Sequence, residues 1–241
     1  MTDSQTARRI LFAAALLFSG VALFGETDFQ GRINISKDLG DFDPMAELVG
    51  RYEDGEYRYN ALRLGGYYRV VDQLKLGAFY KLQTGAVHTE DWDRSRGVWE
   101  DTTDRIEQLL ILDATPRFQL EFLPGENWLV MVKNRYYLNF YNGNQALMVR
   151  PGLSYFYIRD REPRFSAGFA YGLYFPLNFD ETLLYEESPY LNFIYFLSDR
   201  YLLEASLARR SRSWEGKDTN GDAYSFSDTD YLVGLGVIIR L

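Results

Sequence analysis

Apolar side chains recur at every second position along most of this chain from residue 28 onward. The cleanest run is 74–83, where Leu74, Leu76, Ala78, Tyr80 and Leu82 alternate with Lys75, Gly77, Phe79, Lys81 and Gln83. Successive side chains of an extended chain point to opposite faces, so a period of two predicts a strand with one apolar face. The C-terminal stretch repeats the pattern. Tyr231, Val233, Leu235, Val237, Ile239 and Leu241 share one face, and Leu232, Gly234, Gly236, Ile238 and Arg240 the other. The same rule predicts ten strands: 28–36, 56–70, 74–83, 105–122, 127–141, 145–158, 164–176, 188–197, 200–213 and 231–241.

Turn chemistry separates them. Asp54-Gly55, Pro124-Gly125 and Ser198-Asp199 mark reversals, and Asn142-Gly143 is a hairpin signal. Pro116 lies on an apolar strand face and cannot donate to a ladder, so a bulge or local break is expected there. Residues 37–55 read as a loop. Residues 44–55 carry an alternative: AELVGRYE could be an extra strand, which with one further split elsewhere would bring the count to twelve.

These strands are long. Strands of globular proteins typically run about five to six residues, whereas about nine to eleven tilted residues cross a bilayer. The connections 37–55, 84–104, 177–187 and 214–228 are long and most others short. Even strand number, short turns on one side and long loops on the other describe a transmembrane antiparallel up-and-down β-barrel. With the C-terminus on the short-turn side, both termini are expected there. The competing architecture is a soluble β-sandwich or a calycin-like barrel. Upstream, Arg8 and Arg9 precede the apolar run Ile10–Phe24, which predicts a signal peptide over 1–25 and a barrel domain over 26–241. An uncleaved anchor helix is the rival, but the run is short of the roughly 20 residues that a spanning helix needs.

Composition narrows the chemistry. Aromatic residues make up 17%, which suits barrel girdles. The absence of Cys excludes disulfides, thiolate metal sites and Cys nucleophiles. A net charge of −8 makes nucleic acid a poor partner. Sorted by face, the charge is lopsided. Opposite the apolar faces lie Arg32, Arg63, Arg69, Lys75, Lys81, Arg105, Arg117, Lys133, Arg135, Arg150, Arg164, Arg210, Arg212 and Arg240. The acids found there are Glu107, Asp113, Glu121 and Glu204. The long loops hold the reverse, including Asp43, Glu47, Glu186, Asp228 and Asp230. Arg or Lys facing the midplane of a bilayer costs ~2–4 kcal/mol, so the basic faces belong inside. Rings of Arg and Lys favour anions. The candidate pore-lining residues are Arg63, Arg69, Lys75, Lys81, Arg117, Lys133, Arg135, Arg150, Arg164, Arg210 and Arg212. Arg209 is the misfit: it falls on the outward face above Leu207. Either the strand ends or bulges there, or the guanidinium reaches lipid phosphate.

Catalytic and metal signals are weak. His88 is the single histidine and sits in the 84–104 loop without the Ser or Asp spacing of a barrel hydrolase, so no enzyme activity and no cofactor are expected. Asp218, Asn220 and Asp222 resemble a fragment of a calcium loop, but ordinary turn chemistry explains them as well. The signal peptide, alternating strands, Tyr-rich faces and closing strand together resemble a Gram-negative outer-membrane protein, although this chain ends in Leu241 where such proteins usually end in an aromatic residue. The size, basic interior and VIIRL ending are loosely similar to the small monomeric porins of the oligogalacturonate-specific family, which have twelve strands. The resemblance implies an outer-membrane monomer among lipids that passes acidic small solutes as an anion-preferring channel. The alternative is a closed structural or surface-binding barrel with acidic external loops and no transport.

Overall fold

The computed structural model describes residues 27–53, 56–85, 92–93, 98–99, 105–120, 127–179, 183–217, 221 and 223–241, and among these it is all β. The strands are β1 (Thr27–Ser36), β2 (Phe42–Glu53), β3 (Glu56–Val71), β4 (Leu74–Thr84), β7 (Glu107–Leu120), β8 (Trp128–Asn139), β9 (Gln145–Arg159), β10 (Glu162–Pro176), β11 (Glu186–Phe196), β12 (Tyr201–Lys217) and β13 (Ala223–Arg240). A two-residue pair, β5 (Trp92–Asp93) and β6 (Val98–Trp99), lies within the connection from β4 to β7. The eleven long strands close a barrel, each hydrogen-bonded to its neighbours in chain order, with β1 joined to β13.

The count is eleven, neither ten nor twelve. The difference is β2, which occupies most of the segment read as the 37–55 loop. Three acids and a proline disguised it, although Glu47, Val49 and Arg51 alternate with Leu48 and Gly50 as a strand requires. The odd number has a geometric consequence. In a meander of eleven strands the first and last run the same way, so β1 and β13 pair parallel, Thr27 opposite Tyr231 through Ser36 opposite Arg240. The barrel is therefore antiparallel everywhere except at its seam. Its ends also separate. Thr27 lies with the 85–106, 140–144, 177–185 and 218–222 connections, and Arg240 with the 37–41, 72–73, 160–161 and 197–200 connections. The expectation that both termini share one end does not hold.

Turns follow local chemistry. Gly143 takes φ 73° in the expected Asn-Gly hairpin between β8 and β9. Between β9 and β10, Asp160 and Arg161 adopt φ 57° and 65°, the doubly positive geometry of a primed hairpin turn. At Pro116 the ladder to β8 skips two residues and resumes at Arg117 in the same register, a local break without a bulge. The Asp54-Gly55 turn, Glu121, Pro124-Gly125, residues 1–25, His88, Asp218, Asn220 and Asp222 lie outside the described residues.

Register carries the two-faced pattern around the barrel. Leu48 sits opposite Leu62, Leu62 opposite Leu82, Leu110 opposite Leu138, and Val237 opposite Leu203, all on the outer wall. Many of these outer side chains are solvent-exposed, among them Ile33, Leu48, Leu64, Leu112, Phe169, Leu191 and Phe193. The inner wall holds the polar residues together with a compact apolar cluster of Phe79, Ile111, Tyr137, Ala146 and Met148. Phe179 and Tyr185, from the 177–185 connection, complete it. Gly65, on the inner wall, is what lets Phe79 lie flat against β3. A Cβ at Gly65 would collide with the Ala78 carbonyl oxygen and sit 2.7 Å from the Phe79 Cα. Gly65→Ala is therefore expected to destabilise the barrel by about 1–3 kcal/mol or more through overpacking, read as a lowered midpoint in denaturant unfolding. Gly143→Asn, which tolerates positive φ, is expected to change it far less.

Candidate functional site

Among the described residues, the inner wall lines at least two cavities. The larger set of wall residues encloses about 220 Å³ from the long-connection end to mid-barrel. Its cations are Arg32, Arg51, Arg63, Lys81, Arg135, Arg150, Arg210 and Arg212, with Tyr59, Tyr137, Tyr174 and Tyr190 between them. A second cavity of about 430 Å³ lies toward the other end, walled by Asn34, Asp43, Met45, Tyr67, Arg69, Lys75 and Arg240. Phe79 lies between the two sets. Its ring meets Tyr67 of the second cavity edge-on at 5.0 Å and lies under the Arg63 guanidinium of the first, also at 5.0 Å.

Six of the expected lining residues, Arg63, Lys81, Arg135, Arg150, Arg210 and Arg212, come together on the first cavity, and Arg69 and Lys75 on the second. Lys133 faces the interior opposite Arg150 without lining either. Arg117 and Arg164 belong to the short-turn rim. The Arg117 Nε donates to the Asp72 carbonyl at 2.8 Å, and Arg164 bridges to Glu162 at 2.8 Å with its side chain 45% exposed.

Carboxylates assigned by sequence to loops in fact share this interior. Asp43 and Glu47 enter on β2, Glu186 opens β11, and Asp228 and Asp230 extend β13 backward by the same alternation that places Leu232 inside. Their pairing is extensive. Glu47 accepts from Arg63 at 3.0 Å, Asp43 from Lys75 at 2.7 Å, Asp113 from Arg135 at 3.0 Å, and Glu107 from Arg105 at 3.0 Å. Arg210 binds Asp28 and Asp230, and Arg212 binds Asp228 and Asp230, in one buried knot near the long-connection end. Beside it, Tyr185 is held well above the usual tyrosine range by burial. Four carboxylates thus do not stand alone against fourteen cations, and the interior is much nearer balance than the sequence implied.

Two bridges staple the parallel seam. Asp28 on β1 reaches Arg210 on β12, and Arg32 on β1 reaches Glu204 on β12 at 3.2 Å, both across the inner face of β13. Gly236 makes the second possible: a Cβ there would crowd Glu204 Oε2 at 3.2 Å and the Arg32 Cβ at 3.4 Å.

Some interior cations remain without a carboxylate partner among the described residues, and one such pair is directly opposed. Three like-charged pairs face each other directly across strands inside the barrel: Arg63 with Lys81, Arg69 with Lys75, and Lys133 with Arg150. Direct opposition of like charges is unfavourable. Glu47 relieves the first pair and Asp43 the second. Among the described residues, neither Lys133 nor Arg150 has a carboxylate within 4.0 Å. Arg150 instead donates to the Tyr174 hydroxyl at 3.3 Å and lies over the Tyr190 ring at 5.3 Å. Sequence alternation identified both cations, but only the register makes them neighbours.

Removing Arg210 would take one cationic partner from each of the buried carboxylates Asp28 and Asp230, with Asp230 keeping Arg212. Arg210→Ala is expected to cost roughly 3–5 kcal/mol in denaturant unfolding, with part of the loss recovered in the Arg210→Ala, Asp230→Asn double variant.

No protein-family model and no curated protein sequence matches this chain.

Proposed function

We propose that this protein is an outer-membrane β-barrel, inserted as a monomer, whose cationic interior forms a narrow, anion-preferring passage for small acidic solutes. One observation carries the membrane reading. The exposed outer wall is apolar on strand after strand, while the charged side chains of the same strands point inward. Contiguous apolar surface on this scale is rare on monomers in water and marks a membrane or a large partner. The solute class rests on the interior: Lys133 and Arg150 lack carboxylate partners among the described residues, and the first cavity is rich in Arg and Tyr.

A closed barrel is the second reading. It is favoured by the apolar cluster around Phe79 and Tyr137 and by the ion pairs that neutralise much of the inner wall. An eight-strand barrel is just wide enough to be filled by side chains, and eleven strands leave only somewhat more room.

Planar-bilayer recording separates them. The refolded protein is expected to give small unitary currents whose reversal potential in a KCl gradient lies on the chloride side. Stable insertion without current would leave the closed barrel, and cation preference would contradict the channel. Converting both Lys133 and Arg150 to Gln is expected to shift the reversal potential toward zero without loss of folding, because it removes a like-charge opposition. Phe79→Ala is expected to raise unitary conductance.

A further inference from the structure

We propose that Arg209, on the outer wall, is a docking site for the phosphate of an anionic lipid headgroup at the long-connection end; this rests on the membrane reading above. Arg209 is an outward residue in an unbroken ladder. The pairing of β12 with β13 runs from Tyr201 opposite Ile239 to Lys217 opposite Ala223 with no register shift, so no bulge or strand end explains the position. The side chain is exposed, and among the described residues no carboxylate lies within 4.0 Å of it.

Its surroundings mark a boundary. On one side the outer wall of these strands is apolar: Leu207, Ala205 and Leu203 on β12, Val233, Leu235 and Val237 on β13, and Leu191 and Phe193 on β11. On the other side it turns polar at once, with Ser211 opposite Thr229 and Ser213 opposite Ser227. Tyr231 is the cross-strand partner of Arg209, and Tyr171 on β10 lies within its electrostatic reach. The neighbouring carboxylate on β11, Glu187, accepts from the Tyr171 hydroxyl at 2.9 Å and forms no ion pair with Arg209. A cation flanked by tyrosines where an apolar belt gives way to serine and threonine stands at headgroup level. A guanidinium binds phosphate through paired, charge-assisted hydrogen bonds. The hairpin beyond it, Ser211–Lys217 with Ala223–Asp230, then projects past the headgroups into water.

The test uses the whole barrel, first shown to insert into lipid vesicles by protease protection, then held in detergent micelles with added phosphatidic acid. Retained lipid is counted by native mass spectrometry. The unmodified protein is expected to keep phosphatidic acid about tenfold more tightly than Arg209→Gln, the scale of one lost charge-assisted contact. Arg209→Lys, which keeps the charge but not the fork, is expected to fall between them, and it serves alone if Arg209→Gln does not refold. Inorganic phosphate is expected not to displace the lipid. Equal retention by the variants, or displacement by inorganic phosphate in proportion to its concentration, overturns the headgroup site while leaving the membrane reading intact. Failure to insert overturns both.

Discussion

A closed sheet has no free edge, and the rest of this molecule follows from how that closure is made. Eleven strands in a meander leave the first and last parallel, so the seam between β1 and β13 is the one place where the ladder changes type. Parallel pairing is slightly weaker per residue than antiparallel. It is reinforced from within, where Asp28 and Arg32 reach over β13 to Arg210 and Glu204. The small inner face of β13 is what allows it: with Gly234 and Gly236 in that row, β1 and β12 touch across a strand that stands between them.

Alternation then sorts the two walls. Outward positions are apolar and exposed; inward positions carry charge in pairs that join neighbouring strands of the wall. Buried ion pairs contribute little net stability when their desolvation is counted, yet breaking one is expensive. An interior built this way tolerates few single changes and fixes which strands can be neighbours. Lys133 beside Arg150 departs from that economy, since both are cations and neither has a carboxylate among the described residues. The proposed anion passage draws on that departure, and the apolar cluster around Phe79 sets how narrow any passage is.

Much of the wall was legible in the sequence because a period of two needs no tertiary information. The face of every residue from Tyr231 to Leu241 follows from counting, and so do the inward positions of Arg63, Arg135 and Arg150. What escaped was hidden by composition. β2 carries Asp43, Pro44, Glu47 and Glu53, which read as loop chemistry, although its interior neighbours turn Asp43 and Glu47 into partners for Lys75 and Arg63. Asp228 and Asp230 were lost to the same bias at the start of β13. That omission distorted the charge balance, because Asp43, Glu47, Asp228 and Asp230 are all inward acids that pair with interior cations. Cross-strand neighbours such as Lys133 and Arg150 depend on register, which turn geometry and strand count set jointly and a single sequence does not specify.

The central claim is that the outer wall meets hydrocarbon and the inner wall meets water. The chain has no Cys, so single cysteines can be placed at will. Spin labels at successive positions from Leu203 to Ala208 of β12, in protein reconstituted into bilayers, report collision with oxygen, which concentrates in hydrocarbon, against a water-soluble nickel complex. High oxygen accessibility at 203, 205 and 207, alternating with low values at 204, 206 and 208, is the predicted result. Nickel accessibility as high at 203, 205 and 207 as in free solution, or no alternation at all, would contradict it.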